Sequence, residues 1–305
     1  MSMNTMKENK PVNEKKSAAI QSVLAAVGLT VFKLIVGFMT NSLGILAEAA
    51  HSGLDMIAAA VTTIAVHYAD QPPDKEHQFG HGKVENISAL IETLLLLATA
   101  AWIIYEAVHR LFYKSETVQG SIWAFVVMGV SIIVDINRSR MLYRVAEKYN
   151  SQALEADALH FRTDIWSSAV VLVGLFGIQL AEKYDGLQLM IHADAVAALV
   201  VALIVLFVSG EMGWRAVQAL LDKAPEGIKE QIIELVEQLD DINRCQLVRV
   251  RSSGASWFVD LHIEMNGNVD LEESHAKTTI VEELVQQLLT DADVTVHVEP
   301  EISIV

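Results

Sequence analysis

Six apolar runs fill the first two-thirds of this chain, at about 18–39, 44–69, 87–111, 121–141, 158–181 and 192–212. Each is near the roughly 20 residues that the core of a bilayer demands. Backbone polar groups find no water in lipid, so runs of this length are helices. With 52% hydrophobic residues in 305 and a positive mean hydropathy, the chain reads as a polytopic membrane protein. An even number of spans puts both ends on one side. Lys and Arg crowd the N-terminal segment, the loop after the second span and the end of the fourth, which predicts cytoplasmic termini. The opening MSMNTMKENKPVNEKK is polar and leads into the first span with no small-residue cleavage site, so no signal peptide is expected. A bacterial inner (plasma) membrane fits this compact plan. Asp135, Asn137 and Arg138 predict an early end to the fourth span.

After Leu221 the pattern changes. A helix opening near Pro225, the alternating segments CQLVRVRSS and SWFVDLHIEM around Gly254, a helix from about Leu271 to Leu289 and the strand DVTVHVEP give the order α-β-β-α-β. The expected fold is an all-α transmembrane domain of six helices followed by a small α+β, ferredoxin-like domain. Its parts are a tail at 1–17, the membrane domain at 18–221 and a cytoplasmic domain at 222–305. The formal charge of −16 is concentrated in the last part, where 18 Asp and Glu face 6 Lys and Arg between Asp222 and Val305. Such acidity argues against nucleic acid or an anionic lipid surface as partner and concentrates cations locally. A single cysteine, Cys245, excludes an intrachain disulfide and any multi-cysteine metal site.

Charged groups inside the spans are costly and therefore informative. His51-x-x-x-Asp55 in the second span and His160-x-x-x-Asp164 in the fifth repeat one pattern. A spacing of four puts each pair on one helical face, so two facing helices bring two imidazoles and two carboxylates to a point. Two nitrogens and two oxygens suit tetrahedral Zn²⁺. Either pair alone could be an interfacial polar turn, but coincidence of both is a poor explanation. Asn41, Glu48 and Asp157 are nearby polar residues, read either as support for the site or an ion path, or as helix-end residues. Imidazole ligates only when neutral and carboxylate only when ionised, so protons and metal compete for such a site.

The loop DQPPDKEHQFGHGKVEN offers Asp74, His77 and His81, with Gly80 and Gly82 permitting tight turns. These residues make either a loose three-ligand metal site or a solvated polar loop. In the C-terminal domain, His297 and Glu299 share a strand face, with His262 on the preceding strand and His275 on the last helix. Such scattered histidines are by themselves more often surface or packing residues.

Taken in order, NSLGILAEAAHSGLDM, FGHGKVEN, ALHFRTDIWSS, LLDKAPE and the ending VTVHVEP resemble the cation diffusion facilitator family over nearly the whole chain. The resemblance implies a homodimer in a lipid bilayer that exports divalent metal ions in exchange for protons. It implies a transport site at His51, Asp55, His160 and Asp164, and a loop site at Asp74, His77 and His81. It further implies a cytoplasmic cluster at His262, His275, His297 and Glu299, and an interdomain charge pair of Lys83 with Asp222. Gln246 stands where some relatives carry another histidine, leaving that cluster one ligand short, and Glu48 replaces a more usual Asp. His51 resembles the zinc-selective members, where an Asp accompanies broader selectivity.

The expectation is therefore a transporter exporting Zn²⁺ against H⁺. The same fold carrying Fe²⁺, Co²⁺, Cd²⁺ or Mn²⁺ is the nearest alternative, with Mn²⁺ disfavoured because half the ligands are imidazoles. A membrane-tethered metal sensor would use only the acidic domain. An intramembrane zinc hydrolase lacks the H-E-x-x-H that would supply its general base.

Overall fold

The computed structural model describes residues 11–41, 43–112, 122–183 and 190–301. Six long helices come first: α1 (Pro11–Thr40), α2 (Leu43–Ala69), α3 (Lys83–Phe112), α4 (Ile122–Tyr149), α5 (Gln152–Lys183) and α6 (Met190–Leu220). Five of them hold stretches long and apolar enough to cross a membrane: Glu14–Thr40, Glu48–Ala69, Lys83–His109, Ile122–Tyr149 and Leu199–Leu220. The first half of α5 carries Glu155, Asp157, His160, Arg162 and Asp164, and most of that half is buried in protein. Residues 1–10 of the expected tail lie outside the described residues, while 11–17 already belong to α1.

The early end expected for the fourth span is corrected: the helix runs on to Tyr149. Asp135 and Arg138 sit inside it, both buried, with Arg138 Nη1 3.4 Å from Asp135 Oδ1. The guanidinium also lies 3.5 Å from the centroid of the Phe161 ring on α5. A paired, ring-stacked arginine does not have to face lipid, so it need not terminate the helix.

The chain separates into two compact units. One takes the stretch up to Asp70 together with Val84–Ala216, and the other takes Gln71–Lys83 together with everything from Val217 onward. In the first unit, the buried face of α2 follows Ser52, Asp55, Ala59, Thr62 and Val66, the spacing of one helical stripe. Small side chains along it let neighbouring backbones approach closely. Ala18, Ala59, Val66, Leu142, Leu154 and Phe161 form a shared core from α1, α2, α4 and α5. This packing brings the Asp55 face of α2 to the buried half of α5.

The second unit contains α7 (Ile228–Glu237), β1 (Arg244–Ser253), β2 (Ser256–Met265), α8 (Leu271–Leu288) and β3 (Ala292–Pro300). The α-β-β-α-β order is as expected. β1 and β2 are antiparallel across a tight turn at Gly254, whose φ of 60° suits glycine. β3 lies parallel to β2, which requires the α8 crossover between them. Asp270 caps α8 by accepting from the Glu273 N–H. The core is one layer of Ile232, Val236, Val250, Leu261, Ile263, Val281 and Val285 between helices and sheet. Asp222 ends α6 in a left-handed conformation (φ 60°), one that Asp tolerates better than most residues.

Candidate metal centre

Asp55, His160 and Asp164 present ligand atoms that all lie within 4.8 Å of one another. His160 Nε2 is 3.2 Å from Asp55 Oδ1 and 3.6 Å from Asp164 Oδ2. His51 Nε2 stands beside this three-residue group, 3.9 Å from Asp55 Oδ1 and 3.8 Å from Asp164 Oδ1. A tetrahedral zinc with bonds of about 2.0–2.1 Å has ligand-to-ligand edges of about 3.3 Å. The His160 separations lie close to that edge, whereas those of His51 are about half an ångström longer and, at Asp164, run to the other oxygen. Both H-x-x-x-D motifs therefore converge, α2 supplying one pair and α5 the other. Asp55 and His160 are buried, whereas the His51 side chain is 41% exposed, which makes it the open side of the site.

The polar residues expected near this site have separate partners. Asp157 accepts from the Ser22 hydroxyl, which in turn accepts from Arg138 Nη2. Glu48 faces the buried Lys33 ammonium at 3.3 Å, and Lys33 also donates to Ser52 at 2.7 Å. Asn41 is an exposed helix-end residue with φ 49°. None of the three reaches the four ligand atoms in the described contacts.

Glu92 on α3 does approach it. This carboxylate, fully buried, accepts from Thr62 Oγ1 at 2.6 Å and lies 3.9 Å from His160 Nδ1. Its signal in the sequence is a lone charge in the apolar run ALIETLLLL. Lys33 is the corresponding lone cation of the first span.

In the loop, Asp74, His77 and His81 also bring their ligand atoms within 4.8 Å. Asp74 Oδ1 accepts from the backbone N–H of Glu76 and of His77, at 2.8 and 2.6 Å, a turn that fixes the carboxylate. Those N–H groups, His77 foremost, hold the Asp74 carboxyl below its ordinary range. His77 Nδ1 and His81 Nε2 stand 3.4 and 3.3 Å from its oxygens.

The third cluster is smaller than expected. His262, His297 and Glu299 come together, with His262 Nδ1 2.9 Å from Glu299 Oε1. His275 is exposed on α8 and outside this group. Gln246 fills the remaining side by donating to Glu264 at 2.8 Å and Glu299 at 3.3 Å. Cys245, its neighbour in sequence, points instead into the domain core, where burial pushes its thiol up to about 11. It is no substitute for the missing ligand. Lys83 Nζ lies 3.0 Å from Asp222 Oδ1, with Arg251 Nη1 3.8 Å from the other oxygen.

Helices of membrane-spanning length around a largely buried cluster of His160, Asp55 and Asp164 with His51 beside it, joined to a small α+β domain with surface histidines, have the character of a membrane protein that handles divalent metal ions. Residues 19–221 match the family model of the cation efflux transmembrane domain, and 224–301 that of the cation efflux protein cytoplasmic domain. The chain belongs to the cation efflux family, the cation diffusion facilitators: it is a membrane transporter for divalent cations and not an enzyme. The cation-efflux pump FieF of Cronobacter sakazakii is 30% identical over 284 residues, 93% of this chain and 92% of that protein. FieF of Klebsiella pneumoniae is 31% identical over the same shares. A solved chain of CzrB in its zinc form is 24% identical over 26% of this chain and 90% of its own, at a TM-score of 0.25 that carries no argument.

Proposed function

We propose that this transporter is a homodimer that exports Zn²⁺ from the cytoplasm in exchange for H⁺, with His51, Asp55, His160 and Asp164 as the transported ion's site. The observation that supports the reading is the convergence of Asp55, His160 and Asp164 within 4.8 Å between α2 and α5, with the His51 imidazole adjoining them at 3.8–3.9 Å. Mixed nitrogen and oxygen ligation favours zinc over manganese. Because the same four groups bind protons when metal leaves, loading from one side and protonation from the other give antiport. The loop triad and the His262 cluster, both more exposed, serve as accessory sites that sample cytoplasmic metal. The matched cytoplasmic domain supplies the dimer contact, and both termini lie in the cytoplasm of a bacterial inner membrane.

The test is Zn²⁺ uptake into proteoliposomes with an acidic lumen. Wild type accumulates zinc, an uncoupler abolishes the accumulation, and Asp55→Ala and His160→Ala show none. Uptake indifferent to the pH gradient removes the antiport; variants that accumulate zinc normally remove the site.

A further inference from the structure

An imidazole that binds metal through Nε2 keeps its one proton on Nδ1, and in a dry interior that N–H needs an acceptor. His160 is nine-tenths or more buried, and its Nδ1 has no hydrogen-bond partner. The atom across from it is Glu92 Oε2, 3.9 Å away, on a fully buried carboxylate and equally without a partner. Two buried polar atoms left unsatisfied face to face are a costly arrangement unless one state of the protein joins them. The other Glu92 oxygen is held at 2.6 Å by Thr62. Thr62 lies seven residues after Asp55 on the same buried face of α2, so one helix face carries both a ligand and the support of its neighbour's partner.

On the opposite side of the ring, His160 Nε2 sits 3.2 Å from Asp55 Oδ1. A carboxylate accepts at that distance only from a protonated nitrogen, so this arrangement is the one metal must undo. Loading requires Nε2 bare and the remaining proton on Nδ1, which places that proton toward Glu92. Resting on the transport site proposed above, we propose that Glu92 is a positioning residue for it: Oε2 accepts Nδ1–H of His160 and so fixes the tautomer that offers Nε2 to the ion, while Thr62 aims the carboxylate.

The experiment is equilibrium Zn²⁺ binding by the full-length protein in detergent, in an Asp74→Ala, His262→Ala background that silences the loop and soluble clusters. Glu92→Leu weakens binding by about 10–100-fold, the loss usual for a partner that orients a metal-bound histidine. Combined with His160→Ala, the same substitution costs less than about twofold further, because a group acting through His160 has nothing left to act on. Equal losses in both backgrounds, or no loss in either, overturn the proposal. Where Glu92→Leu fails to fold, the isosteric Glu92→Gln carries the comparison. It retains an acceptor without the charge, loses less affinity than Leu would, and its loss vanishes with His160→Ala. Asp55→Ala separates the two readings: unchanged affinity there means the transport site itself is misassigned, whereas lost affinity with a silent Glu92 refutes the positioning role alone.

Discussion

His51 is the most exposed of the four residues proposed as the transport site, and on that reading it is the one through which cargo identity is most directly tuned. Replacing it by Asp changes the donor set from N₂O₂ to one nitrogen and three oxygens, which favours harder cations. We expect His51→Asp to erode the preference for Zn²⁺ over Mn²⁺ by about tenfold, or ~1.4 kcal/mol. Mn²⁺ competition in the proteoliposome uptake assay measures it, and an unaltered preference contradicts the role given to His51. A second prediction at this scale concerns Cys245, whose thiol lies in the core with its proton held up to about 11 by burial, with Glu237 adding to the effect. A raised thiol is neutral at pH 8, so alkylation of the folded protein by iodoacetamide is slow there and quickens only on unfolding or as pH climbs toward that value. Rapid labelling of native protein at pH 8 would place the side chain elsewhere. Of these residues, the two pairs His51 with Asp55 and His160 with Asp164 were legible from spacing alone, since i and i+4 share a face whatever the tertiary fold. Glu92 was visible as a lone charge in an apolar run, but its partners Thr62 and His160 are 30 and 68 residues away in sequence, and only packing pairs them.

At the scale of elements, the segment Gln71–Lys83 groups with the C-terminal unit and not with the helices it joins. Phe79 meets Phe258 edge to face at 5.3 Å, and the Arg251 guanidinium lies 4.3 Å from the Phe79 ring centroid and 5.0 Å from that of Phe258. Gly82 comes so close to the β1–β2 turn that a Cβ there would stand 2.1 Å from the Ser253 carbonyl oxygen. Gly82→Ala is therefore expected to cost about 1–3 kcal/mol, the usual range for overpacking, and to open the loop to protease. Limited proteolysis followed by mass spectrometry of cuts within 71–83 checks it; wild-type resistance would show that the contact is not needed. Glycine in FGHGKVEN suggested a tight turn, yet nothing local in the sequence announced that the turn packs on the Ser253–Gly254 tip. The loop's acid response has a defined sign. Asp74, held low by the His77 and Glu76 N–H groups, contributes fully above the ordinary carboxylate value of about 3.9 and is lost only as pH falls through its lower folded value. Asp74→Asn consequently weakens zinc binding at the loop by the same factor throughout pH 5–8. A factor that shrinks toward pH 5, measured by titration of protein lacking the other two clusters, would mean that Asp74 titrates within that window.

For the molecule as a whole, the proposed transport site and the bulk of the negative charge belong to different parts of the chain and act at different ranges. On the proposed reading, His51, Asp55, His160 and Asp164 decide which ion is held, over distances of 3–4 Å. The 84 residues from Asp222 onward carry 18 acidic and 6 basic side chains, most of them exposed, and their field reaches as far as the Debye length allows. That length is about 30 Å at 0.01 M ionic strength and about 8 Å at 0.15 M. With this domain facing the cytoplasm from which the ion loads, as proposed above, its acidity raises the local divalent-cation concentration. Raising monovalent salt from 10 to 150 mM should then increase the apparent KM for Zn²⁺ several-fold and leave the maximal rate unchanged. Replacing Glu230, Glu234, Glu272 and Glu283 together by Gln removes four surface charges while sparing the core and the His262 cluster. The variant should flatten that salt dependence and raise KM at low salt only. A change in maximal rate would mean that these carboxylates take part in the conformational cycle, and an unchanged salt slope would assign the dependence to the binding site. Proteoliposome uptake at graded zinc, with salt matched on both sides of the membrane, separates the two because long-range attraction acts on encounter and the buried ligands on release.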